Sequence, residues 1–170
     1  MLPGLLAAIK RRNAFRSLRN RDYRLLWIGQ VGHSASLWVE TVARSWLIWQ
    51  LTSSATLLAT IHLLRALPML SFGLFAGVAA DRFDKRKLLI ICKTFTLVNK
   101  VVLAVLITTG AIEVWQVLLS AFLMGSSMSF EQPARTALIP SLVKEDELTN
   151  AVALNSAAMN VTRILGPAAA

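Results

Sequence analysis

The chain has 170 residues, 55% of them hydrophobic, with a mean hydropathy of +0.57 and a formal charge of +9. Only 16% are charged, against about 25% in ordinary soluble domains, and the cations crowd into two clusters instead of following exposed helix faces as in a basic nucleic-acid-binding domain. These features exclude a soluble globular domain and a nucleic-acid partner, and they point to an all-α, polytopic membrane helix bundle.

Residues 1–24 form a basic arm carrying Lys10, Arg11, Arg12, Arg16, Arg19, Arg21 and Arg24. It reads either as a solvated tail or as a helix lying on anionic headgroups. Its apolar start is short and its charges follow it, the reverse of a cleaved signal peptide.

Five apolar runs follow, each near the length of about 20 residues that a spanning helix needs. The first, 25–51, contains Trp27, Trp38, Trp46 and Trp49 and is interrupted by Gln30, His33, Glu40 and Arg44. The second, 55–80, contains Arg65, Pro68, Gly73 and Gly77, the two glycines forming a small-xxx-small face suited to close helix contact. A charged turn, residues 77–87, leads to the third run, 88–109, with Lys93, Asn99 and Lys100. The fourth, 114–133, closes on Glu131, Gln132 and Pro133, and a polar segment with Glu145, Asp146 and Glu147 leads to the fifth, 148–170.

Lys and Arg are distributed unequally among the connections. The arm has seven, the second loop four and the fourth loop two, while the first and third loops have none. The positive-inside rule then predicts a cytoplasmic amino terminus.

Charged residues inside spans are costly and are expected to face a bundle interior or an aqueous cavity. Counting about 1.5 Å per residue predicts Glu40 and Arg65 at similar depth, with Arg44 on the Glu40 face. This cluster either locks the first two helices together or takes part in proton or substrate coupling. Glu131, at the cytoplasmic end of the fourth span, is expected to gate or to pair with the basic turn. Lys93 is expected to snorkel to the cytoplasmic surface, whereas Lys100 and Arg163 are expected to face the cavity. One cysteine, two separate histidines and no P-loop leave no metal site, cofactor site, nucleophile–base pair or ATPase motif.

The turn Gly77-Val-Ala-Ala-Asp81-Arg82-Phe-Asp84-Lys85-Arg86 resembles the loop signature of the major facilitator superfamily, departing at Ala79 (usually Leu) and Asp84 (usually Gly). Pro133-Ala-Arg135-x-Ala-Leu-Ile-Pro140 and the later Glu147-Leu-x-Asn150 stretch resemble its drug- and siderophore-exporting branch, whose relatives export macrolides and enterobactin-like siderophores. Gly166 and Pro167 resemble the start of the fifth-helix antiporter motif, while the superfamily's fourth-helix Arg is replaced by Ala121.

The resemblance implies twelve helices in two halves, of which this chain holds about four and a half. It also implies that Gly77, Asp81, Arg82, Lys85 and Arg86 form a conformational latch whose partner belongs to missing carboxy-terminal helices. The function expected is secondary active export of amphiphilic small molecules, proton-coupled, in a bacterial inner membrane, when the chain is part of a full-length protein. The alternative is a truncated, non-transporting membrane protein or an assembly partner.

Overall fold

The computed structural model describes residues 16–168, and among them every regular element is helical. A 3-10 turn, Arg16–Arg19, precedes five α-helices: α1 (Arg21–Thr52), α2 (Ala55–Arg82), α3 (Lys85–Thr108), α4 (Val114–Leu142) and α5 (Leu148–Ala168). A second 3-10 turn, Glu145–Glu147, joins the last two. Lys10, Arg11 and Arg12 of the basic arm lie outside the described residues.

The helices start where caps allow, which is not where the apolar runs start. Asn20 accepts the Asp22 N–H at 3.0 Å, so α1 begins within the basic arm. Ser54 accepts from the Leu57 N–H and opens α2. Asp84 accepts from the Lys87 N–H at 2.9 Å and opens α3 three residues before the apolar run at Leu88. At the far end of α3, Gly110 takes a left-handed φ of 71°, a conformation that a side chain would resist, and the chain reverses into α4.

The largest difference from the apolar pattern is in α4, which continues through Pro133 to Leu142, whereas the pattern ends the span at 133. Pro133 removes one backbone donor, and the helix runs on past it; Thr136 Oγ1 bonds the Gln132 carbonyl at 3.0 Å and Arg135 reaches back one turn to Glu131. A helix that loses its apolar character need not stop.

The chain divides into two compact units, one of residues up to Ala43 and from Ile139 onward, the other Arg44–Leu138. In the first, Tyr23, Ile139 and Ala151 are buried together, flanked by Leu26, Trp27 and Leu148. Four side chains of its leading segment donate to backbone carbonyls: Ser17 to Glu147 (3.2 Å), Asn20 to Leu142, Tyr23 to Ala151 (2.7 Å) and Trp27 to Leu154 (3.1 Å). In the second unit, Ile48, Ile61, Val117 and Ala121 form the core, and the rings of Phe72 and Phe130 meet at 6.3 Å.

α2 and α3 are long and apolar enough to cross a membrane. Only 17% and 11% of their most apolar stretches are buried inside the protein, the opposite of a soluble core helix. Leu70, Leu74 and Phe75 on α2 and Ile91, Leu97 and Val101 on α3 are all more than half exposed, an arrangement that water would penalise and lipid would not.

Candidate functional site

The charged turn is built by two caps back to back. Phe83 closes α2, its N–H bonding the Ala79 carbonyl at 2.9 Å, and Asp84 opens α3. The Lys87 backbone N–H at its carboxylate, helped by the Arg86 N–H and the nearby cations, holds Asp84 below the usual carboxylate range. The departure at this position thus supplies a helix cap.

Asp81, Arg82, Arg86 and Lys87 are exposed and Lys85 is half-buried. Asp81, Phe83, Asp84, Lys85 and Arg86 line an open depression of about 400 Å³ whose remaining wall is Leu138, in the extension of α4. A methyl group added at Gly73 or Gly77 would meet nothing within 4 Å. The tight approach lies elsewhere: a Cβ at Gly125 of α4 would sit 2.2 Å from the carbonyl oxygen of Arg65 on α2. Glycine there lets two backbones touch.

Glu131 is the centre of a charged cluster between α3 and α4. Its Oε1 lies 2.7 Å from Lys93 Nζ and 3.5 Å from Arg135 Nη1. The Glu131 and Arg135 side chains are only 4% exposed, and that of Lys93 is 35% exposed. Arg135 also donates to Gln132 Oε1. The carboxylate that the sequence offered to Lys85 or Arg86 is therefore bound by Lys93 and Arg135, and Lys93 points its ammonium into an ion pair. One carboxylate facing two cations in partial burial is an arrangement whose disruption strands charge.

A polar seam continues along the same helix pair. Thr96 and Ser127 share a hydrogen bond at 3.0 Å, and Ser127 also donates to the Cys92 carbonyl at 3.0 Å. Further on, Ser120 donates to Asn99 Oδ1 at 2.5 Å and Asn99 returns a bond to the Ser120 carbonyl at 3.3 Å. Arg44 joins here, donating to Ser120 Oγ at 3.1 Å and to the Val117 carbonyl at 3.4 Å. Arg65 instead directs its guanidinium to Met128 Sδ at 3.3 Å. Ser120 and Met128 are eight residues apart, about 12 Å along α4, so these contacts of Arg44 and Arg65 fall at different points on that helix.

Glu40 is half-buried and belongs to the other unit. Lys100 is half-buried on α3, and Arg163 is exposed on α5. Gly166 and Pro167 fall in the last turn of α5, of which only the backbone is described. Among the described residues no group of His, Cys, Asp or Glu could hold a metal ion.

Sequence reasoning passed over Gly125, Ser120 and Ser127 and gave Arg135 no role. Their spacing carried a signal: 120, 127, 131 and 135 recur at whole numbers of helical turns and mark one buried polar face in an apolar run.

Two exposed apolar helices joined by a charged turn, with a polar seam and a buried ion-pair cluster between the second of them and α4, are the features of an integral membrane protein. The family described as transmembrane secretion effector, within the major facilitator superfamily, matches residues 12–170, and the chain belongs to it.

It is 30% identical over 145 residues to the staphyloferrin A transporter of Staphylococcus aureus, covering 85% of this chain and 34% of that protein. It is 28% identical over 145 residues to macrolide efflux protein A of Streptococcus pyogenes, covering 85% and 36% respectively. The chain thus spans about a third of the length of the curated relatives it matches. No solved structure gives a significant match.

Proposed function

We propose that this chain forms the amino-terminal part of a proton-coupled secondary exporter of amphiphilic small molecules in a bacterial inner membrane. In this reading α1, α4 and α5 cross the membrane beside α2 and α3, and the amino terminus and the Gly77–Lys87 turn face the cytoplasm. The concentration of Lys and Arg in the arm and the even-numbered connections supports that orientation. The names of two relatives, a siderophore transporter and a macrolide efflux protein, support an amphiphilic cargo.

The observation that carries the proposal is the charged turn at the α2–α3 junction of a chain belonging to this family. Gly77 leaves open space on α2, and Asp81 is exposed at its end. Both are available to a helix from the remainder of a transporter, so Gly77, Asp81, Arg82, Lys85 and Arg86 act as the cytoplasmic latch. Glu131, held between Lys93 and Arg135 one helix away, couples that latch to the membrane interior. Within the Arg44–Leu138 unit, Arg44, Arg65 and Lys100 are the residues proposed to meet cargo or protons, and in the other unit Glu40, Arg163, Gly166 and Pro167.

The test is reconstitution of a protein of its relatives' length that carries this chain, with a defined pH gradient and a labelled macrolide. Gradient-driven movement that Asp81→Asn abolishes with normal membrane insertion is the expected result. Transport indifferent to the gradient would remove proton coupling, and transport indifferent to Asp81→Asn would remove the latch.

A further inference from the structure

Near the α3–α4 connection the two helices line a groove of about 300 Å³. Its walls are apolar, with Phe95, Val102 and Leu106 from α3 and Trp115, Leu119 and Leu123 from α4. Asn99 and Ser120 form its floor, already bonded to each other and backed by Arg44, so the floor asks nothing further of an occupant. From Leu106 to Phe95 the groove follows α3 for 11 residues, about 16 Å. That is close to half of the roughly 30 Å hydrocarbon thickness, the depth of one leaflet.

The mouth carries a charge. Glu113 is the single charged residue between Lys100 and Glu131, and it is exposed. The indole N–H of Trp115, at the lip of the groove, donates to its Oε2 at 2.6 Å, and Gln116, also in the lining, accepts its backbone N–H at 2.9 Å. The partial positive charge at the start of α4 and the partial negative charge at the end of α3 lie side by side and offset one another. The carboxylate therefore sets the sign of the mouth.

We propose that this groove is a binding site for one phospholipid that carries an ammonium headgroup, with an acyl chain between α3 and α4 and its ammonium against Glu113. The length of the groove, its apolar walls and its acidic mouth each select for this occupant. A purely anionic lipid would bring its charge against Glu113.

The experiment uses the purified full chain equilibrated with equimolar phosphatidylethanolamine and phosphatidylglycerol of identical acyl chains, with retained lipid read by native mass spectrometry. Phosphatidylethanolamine should be retained about two- to fivefold over phosphatidylglycerol, the range that one exposed ion pair can supply. Glu113→Gln should bring the ratio to about one. Leu119→Trp, which fills the groove from a position 47% exposed, should reduce total retained lipid, and Val102→Phe should do so from the other wall.

Equal retention of the two lipids by the unmodified chain would overturn the proposal. So would a preference that Glu113→Gln leaves intact, retention unaffected by both filling variants, or a groove closed by dimerisation with no lipid bound.

Discussion

Gly125→Ala is the sharpest test of how the Arg44–Leu138 unit is assembled. The added methyl would lie 2.2 Å from the Arg65 carbonyl oxygen, 2.9 Å from its carbon and 3.1 Å from its Cα. All three are backbone atoms, so no side chain can swing aside. An ordinary carbon–oxygen contact of about 3.3 Å requires α2 and α4 to separate by roughly 1 Å along a seam fixed by hydrogen bonds on the α3 side. Overpacking of this kind costs about 1–3 kcal/mol. Alanine also favours the helix by up to about 1 kcal/mol relative to glycine, which offsets part of that cost.

Gly73→Ala supplies the reference, because it brings the same helix gain and its methyl meets nothing within 4 Å. Gly125→Ala should therefore be less stable than Gly73→Ala by about 1–3 kcal/mol in denaturant unfolding of the purified chain in detergent, followed by circular dichroism. Equal stability of the two variants would refute the close α2–α4 contact.

Three further outcomes are expected. Glu131→Gln leaves two cations facing each other and should cost about 3 kcal/mol, at the low end for a broken buried pair because Lys93 can reach toward water; Lys93→Met, which leaves Arg135 its carboxylate, should cost clearly less in the same unfolding assay. Tyr23→Phe removes a buried hydroxyl from the Ala151 carbonyl and should cost about 1 kcal/mol, with amide exchange rising at the start of α5. Asp84 has a carboxyl held below its ordinary value, so its cap is fully present above about pH 4, where the unfolded group is also ionised, and weakens as the pH falls through the lower folded value. Asp84→Ala should speed exchange of the Lys87 amide at neutral pH, while Asp84→Asn should keep it protected and abolish its acid dependence.

The all-α architecture and the places where the chain turns were legible because both are written in local chemistry. Apolar length marks the long exposed helices, and the charged turn marks a reversal. The helix ends were less legible, because hydropathy reports where hydrocarbon ends and caps report where the helix ends. Asp84 and Asn20 separate the two at the starts of α3 and α1. In α4 the separation is widest, since the apolar run closes at Pro133 and the helix continues to Leu142.

The candidate site was legible as a motif and not as a set of partners. Depth counting assigns residues to levels along an axis, but it does not say which face of a neighbouring helix they meet. Arg44 and Arg65 were placed together on that basis, and they contact α4 about two turns apart. Glu131 went to the nearest cations in the turn, whereas α3 and α4 run antiparallel in a register that brings Lys93 to it.

That register is fixed by the seam itself. Asn99 meets Ser120, Thr96 meets Ser127 and Lys93 meets Glu131, so each step toward the start of α3 matches a step toward the end of α4. Polar residues buried between apolar helices find partners or bear a desolvation cost, and a slip of α4 by one turn would break all three pairs at once. The seam therefore holds α3 and α4 as one body. The charged turn, which opens α3 through the Asp84 cap and lies against Leu138 of α4, therefore abuts both helices of that body.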